Sequence, residues 1–104
     1  GHLMVLPQRG VTSLNDLTDR EYAELWEGVR AATQAVEAAY SPEGINVGLN
    51  LGRGAGAGIP DHVHVHVLPR WGGDTNFMTT VANTRVLPES IGDSWRRLTD
   101  AWPA

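Results

Sequence analysis

Among its 104 residues the chain has no cysteine. Disulfides and thiolate metal sites are excluded, and cysteine usage leaves the redox compartment open. Positive charge is also thin, with eight Lys and Arg against twelve Asp and Glu. The net charge of -4 and pI near 5.4 argue against a basic nucleic-acid face or a polybasic membrane anchor. Any phosphate binding must therefore be local, from backbone amides, histidines and a few arginines. No uncharged apolar run approaches ~18 residues, so no transmembrane helix is expected. No signal peptide is visible either, which favours the cytoplasm. A hydrophobic content of 41% with 19% charged residues describes an ordinary soluble globule. The length predicts one domain, residues 1–104, with a modest core that association with a second copy would help stabilise.

Against these absences stands one concentrated line, His62-Val63-His64-Val65-His66-Val67-Leu68. It holds three of the four histidines, at alternate positions. A β-strand puts alternate side chains on one face, so the three imidazoles form a row with Val63, Val65 and Val67 behind them. An exposed strand face carrying only solvated side chains would more simply use threonine, lysine or glutamate. A zinc site is one functional alternative, since histidines at i, i+2 can chelate it. The outer Cα atoms, however, are ~13 Å apart at ~3.3 Å per residue. A metal would thus need ligands from elsewhere, with His2, Asp61 and Asp74 as candidates. Nucleophilic catalysis fits better. A neutral imidazole attacks phosphorus and holds the transferred group covalently, provided its other nitrogen is pinned. Flanking histidines then hydrogen-bond the phosphate oxygens and assist the leaving group. His64, with a neighbour on each side, is the natural nucleophile, and His62 and His66 support it.

The remaining pattern places this strand in a fold. Leu3 to Leu6 reads as a short strand stopped by Pro7, and Gln8 to Leu17 as a loop. Thr18 with Glu21 fits a capping box. From Tyr22, the residues Leu25, Trp26, Val29, Ala32, Val36 and Tyr40 follow helical spacing until Ser41-Pro42-Glu43-Gly44 turns the chain. Ile45 to Leu51 alternates, with Ile45, Val47, Leu49 and Leu51 on one face and Asn46, Gly48 and Asn50 on the other. That is the pattern of a half-buried antiparallel strand. The glycine-rich run 52–58 connects it to the histidine strand, which is expected to end at Pro69. Phe77 to Val81 is a weaker strand candidate. Leu87, Ile91, Trp95, Leu98 and Trp102 recur at helical spacing after Pro88. The expectation is an α+β domain, an antiparallel sheet with one long helix and a C-terminal helix.

Pairing of Ile45–Leu51 with the histidine strand would combine their apolar rows beneath the long helix. It would also set glycines and Asn50 beside the imidazoles. Gly56 and Gly58 are candidates for a backbone N–H nest around phosphate oxygens, or simply parts of a flexible hairpin. The run does not match G-x-G-x-x-G leading into a helix, so a dinucleotide fold is unsupported. Asn50 is a candidate contact to a hydroxyl or phosphate. Trp26, Trp95 and Trp102 are expected in the core, whereas Trp71, in a loop just past the histidines, is a candidate for a ligand edge. Arg53 and Arg70 read as solvated surface charges before they read as phosphate ligands.

The line from His62 to Leu68 closely resembles the signature of the histidine triad (HIT) nucleotide-binding family, three histidines alternating with apolar residues. Gly1-His2-Leu3-Met4-Val5-Leu6-Pro7 resembles that family's glycine-histidine strand, and Asn46 to Gly52 the strand leading to its phosphate loop. Val67 to Phe77 is similar to the bacterial branch that includes diadenosine tetraphosphate phosphorylases. The resemblance implies an antiparallel meander with a long helix, usually dimeric. It implies nucleotidyl transfer or hydrolysis at an α-phosphate through a nucleotidyl-histidine intermediate, on adenine nucleotides or dinucleoside polyphosphates. By position, His64 matches the nucleophile, His62 and His66 its supporting pair, His2 an additional pocket histidine, and Asn50 a polar substrate contact. No cofactor and no protein metal ligand are implied, although the polyphosphate substrates of some members carry magnesium. Gly58 stands where many relatives place glutamine or serine, leaving that hydrogen bond to a backbone N–H or water. The family's N-terminal strands would precede Gly1, so the chain is expected to lack its natural beginning. Two alternatives follow: a nucleotide-binding module with little turnover, and a histidine-based metal-binding protein. The expected partners are a nucleotide substrate and a second copy of the chain, without nucleic acid or membrane.

Overall fold

The structure, a computed structural model, describes residues 1–55, 62–72 and 90–103. Three strands form an antiparallel sheet: β1 (Leu3–Val5), β2 (Gly44–Gly48) and β3 (Val65–Arg70). The order is β1-β3-β2, with the histidine-bearing strand in the centre. β2 and β3 are sequence neighbours in antiparallel pairing, the part of a meander that lies within the described residues. β1 reaches β3 from the other side because the long helix α1 (Asp19–Tyr40) intervenes between β1 and β2. The C-terminal helix α2 (Ile91–Ala101) packs against α1.

α1 starts where its sequence says it should. Thr18 Oγ1 accepts from the Glu21 amide at 3.1 Å, and Glu21 Oε1 accepts from the Thr18 amide at 2.9 Å. Two of the orphan amides of the first turn are thereby satisfied. At the other end Ser41 adopts a left-handed conformation, φ 44°, and donates its amide to Glu37. The face between these caps, Leu25, Val29, Ala32, Ala35 and Val36, is buried against Val65 and Val67 of β3 and Leu98 of α2. Burial of each valine or leucine there contributes roughly 1.5–3 kcal/mol. Gly28 lets β1 approach α1: a Cβ at that position would lie 3.0 Å from Val5 Cγ1.

The elements depart from the sequence pattern in four places. β3 begins at Val65, leaving His62, Val63 and His64 ahead of the ladder. The register supplies the reason, because Val5 pairs with Val65 and the next residue in line opposite Val63 is Pro7. Proline has no N–H to continue the ladder. At its other end β3 runs through Pro69 to Arg70, held by pairing of Ile45 with Pro69 and Gly44 with Arg70. β2 ends at Gly48 and lies at an edge of the described sheet, so Ile45 and Leu49 pack on the core while Val47 and Leu51 are exposed. Trp95 and Trp102 are likewise not in the core. Only Leu98 of the α2 stripe is buried, and Ile91, Trp95 and Trp102 are exposed. Helical spacing predicted that these side chains share a face, but α1 covers that face only at Leu98. Trp26 does pack against the core, with its indole Nε1–H buried and without an acceptor among the described residues. Phe77–Val81 and Leu87 lie outside the described residues.

Candidate active site

Strand alternation divides the histidine segment. Val63, Val65 and Val67 are buried, the last two within the core beneath α1, as the apolar row predicts. His66 points to the other side of the sheet, and the His64 ring stands edge-on to it with centroids 4.8 Å apart. Both rings are nearly inaccessible, at 4% and 5% exposure. Gly48 pairs with His66 across the β2–β3 ladder, which places a residue without a side chain beside the imidazole.

Each ring has a defined partner. His64 Nδ1 lies 2.9 Å from the His62 carbonyl. A carbonyl only accepts, so this nitrogen carries the proton and the lone pair of the neutral ring sits on Nε2. His62 Nε2 donates to the Pro7 carbonyl at 2.9 Å, which leaves its Nδ1 available. His66 Nδ1 is 2.8 Å from His2 Nε2, with ring centroids 4.9 Å apart. One of the two nitrogens must be unprotonated for that bond to exist, so the contact is incompatible with two charged rings. Burial, followed by the neighbouring charges of His2 and His64, holds His66 down to about 4. Burial and then the terminal ammonium hold His2 below its ordinary range as well. His66 is therefore neutral at pH 7.

The structure thus brings the rings of His2, His64 and His66 together, while His62 joins them through its backbone carbonyl and turns its imidazole to Pro7. Asn50 is partly buried two residues beyond β2, and no hydrogen bond joins it to an imidazole among the described residues. Trp71 follows the end of β3, five residues past His66, roughly 16 Å along a strand. The register carries it toward the start of β2 rather than toward the triad. Arg70 donates to Asn46 Oδ1. Gly56, Gly58, Asp61 and Asp74 lie outside the described residues. Among the described residues no three His, Asp or Glu side chains are grouped to hold a metal ion, and no helix is long and apolar enough to cross a membrane. The sequence pattern gives no sign of two contributors, the Pro7 carbonyl and the turn at Val11 whose carbonyl accepts from the Val63 amide at 2.7 Å. The nearest signal is Pro7 itself, which ends β1.

Comparison with known proteins places this geometry in context. The HIT domain family model matches residues 1–73. An AP-4-A phosphorylase of Mycobacterium tuberculosis (strain ATCC 25618 / H37Rv) is 48% identical over 102 residues, 98% of this chain and 52% of the relative. An asymmetrical bis(5'-nucleosyl)-tetraphosphatase of Schizosaccharomyces pombe is 43% identical over 52 residues, 50% of this chain and 29% of the relative. The chain spans about half the length, or less, of these curated relatives. Among solved structures, a histidine triad protein of Sinorhizobium meliloti superposes with TM-score 0.72 at 26% identity, covering 96% of this chain and 73% of that one. A HIT-like protein of Bartonella henselae shares the fold, with TM-score 0.76 at 20% identity over 96% of this chain and 69% of that one.

Proposed function

This chain belongs to the HIT domain family, and from that premise we propose that it is an enzyme cleaving dinucleoside polyphosphates at an α-phosphate through His64. The observation that carries this is the bond from His64 Nδ1–H to the His62 carbonyl, which fixes the lone pair on Nε2. Nε2 attacks the α-phosphorus, an N–P bond forms, and the P–O bond to the departing polyphosphate breaks. The His62 carbonyl, already accepting from Nδ1–H, stabilises the positive charge that develops on the ring. In this reading the charged form of His62 protonates the leaving oxygen from Nδ1, and neutral His66 contacts the phosphoryl oxygens through its remaining nitrogen. In the second step an oxygen of inorganic phosphate or water attacks phosphorus and the N–P bond breaks. Phosphate yields a nucleoside diphosphate, and water a monophosphate. The M. tuberculosis relative's name favours phosphate as the acceptor, and that of the S. pombe relative keeps water as the competing one.

The test is incubation with diadenosine tetraphosphate and labelled phosphate, with His64→Ala as the control. Label in ADP beside unlabelled ATP, lost in the variant, supports phosphorolysis, and AMP with ATP formed without phosphate supports hydrolysis. Undiminished turnover by His64→Ala contradicts the proposal. We further propose that the chain is a homodimer, supported by the small core and by the exposed row Ile91, Trp95 and Trp102. A monomer by light scattering at micromolar concentration contradicts this.

A further inference from the structure

His62 lies outside the β3 ladder, so the sheet does not hold it. Among the described residues two hydrogen bonds tether this segment to the turn that follows β1. His62 Nε2 donates to the Pro7 carbonyl at 2.9 Å, and the adjacent Val63 amide donates to the Val11 carbonyl at 2.7 Å. The orientation of the first triad histidine is thus only as fixed as residues 7–11.

Among the described residues, Arg9 is the side chain whose hydrogen bonds tie that turn to α1. Arg9 Nε donates to Glu21 Oε2 at 3.0 Å and Arg9 Nη2 to Glu21 Oε1 at 2.8 Å, a two-pronged guanidinium–carboxylate pair. Nη2 also donates to the Asp16 carbonyl at 2.7 Å, so the guanidinium joins the turn to the residues leading into the helix. Glu21 is itself immobilised, because Oε1 accepts the Thr18 amide of the capping box. An isolated surface ion pair contributes little. This one differs in having two prongs, a third bond to backbone, and a carboxylate already locked by a helix cap.

We propose that Arg9 is a positioning residue for His62, coupling the α1 capping box to the triad through the Pro7–Val11 turn. This rests on the triad being the transfer site proposed above. Arg9 touches no substrate; it fixes the carbonyl that aims His62, and hence the direction in which His62 Nδ1 faces the leaving oxygen. The hydrogen bond from Arg9, followed by that from the Thr18 amide, holds the Glu21 carboxyl down at about 2. The anchor therefore stays ionised throughout the range in which histidines titrate.

The experiment compares wild type, Arg9→Gln and Arg20→Gln by amide hydrogen exchange and by steady-state kinetics on diadenosine tetraphosphate. Arg20 pairs with Glu24 on the same exposed stretch of helix without bonding to the turn, so it controls for loss of a surface charge. In Arg9→Gln the Val63 amide is expected to exchange about tenfold faster or more, while Val65 inside the ladder keeps its protection. The expected kinetic effect is a loss of about fivefold in kcat with KM nearly unchanged, since aim rather than binding is disturbed. Arg20→Gln should match wild type in all of these. Unaltered Val63 exchange in Arg9→Gln overturns the proposal, as does equal acceleration at Val63 and Val65, which would mean only general destabilisation. Unchanged kcat with accelerated Val63 exchange overturns it too. If wild type turns over no dinucleotide, the proposed activity is absent, and exchange at Val63 alone decides whether Arg9 holds the turn.

Discussion

Acid should destabilise this fold through His66 in particular. Burial and the charges of His2 and His64 hold the folded-state value at about 4, whereas an unfolded histidine titrates near 6.5. As pH falls through 6.5 the unfolded chain takes up the proton first, and the folded chain follows only near 4. Stability from this group is therefore complete above about pH 7, declines between roughly 6.5 and 4, and does not change further below that. The full difference corresponds to roughly 3 kcal/mol at 1.36 kcal/mol per pH unit. His2 is only partly buried, so about half of that, roughly 1–2 kcal/mol, is expected after screening. For a domain of this size that is about 4–16 °C in Tm. The comparison is thermal unfolding of wild type and His66→Asn by circular dichroism from pH 7.5 to 4.5. An asparagine amide reaches the position of Nδ1 and keeps a contact to His2 without a titrating group. Carboxylate contributions common to both proteins cancel in the difference. The gap between their Tm values should shift in favour of the variant by that amount as pH falls. A gap independent of pH, or a His66 resonance titrating near 6.5 in the folded protein, refutes the reasoning.

Other consequences are directly measurable by urea unfolding. Val67→Ala, at a fully buried position of the central strand, should cost about 2 kcal/mol; a loss below about 0.5 would mean the core is not built around β3. Thr18→Ala removes the side-chain half of the α1 cap and should cost about 1 kcal/mol, and an unchanged midpoint would contradict the capping box. Ser41→Gly relieves a left-handed residue at φ 44° and should stabilise by about 0.5 kcal/mol. Destabilisation by that variant would show the serine side chain to be needed.

How much of this was legible in the sequence depended on whether the determinant was local. α1 is readable because Thr18 and Glu21 lie one turn apart and its apolar residues recur within single turns. The imidazole row is readable because alternation alone puts His64 and His66 on the face away from Val65 and Val67. The start of β3 is not, since it is set by Pro7, 56 positions before Val63 and adjacent only through the β1 register. The resemblance implied His2 as an additional pocket histidine, but its contact with His66, 64 positions apart, is not readable from spacing. Arg9 and Glu21, 12 positions apart, share no periodic element, so no pattern announces their pairing. The α2 stripe shows the converse. Periodicity told which of its residues share a face but not how much of that face α1 covers, and Trp95 and Trp102 are exposed as a result.

The central claim is that His64 Nε2 becomes covalently bonded to phosphorus. The most direct measurement is intact-mass and peptide mass spectrometry of the protein quenched in alkali during turnover of diadenosine tetraphosphate without added phosphate. The account predicts an adenylyl adduct on His64, stable to alkali, labile to acid and absent in His64→Ala. Steady turnover with no adduct on any histidine, or an adduct on His62 or His66 that survives His64→Ala, would contradict it.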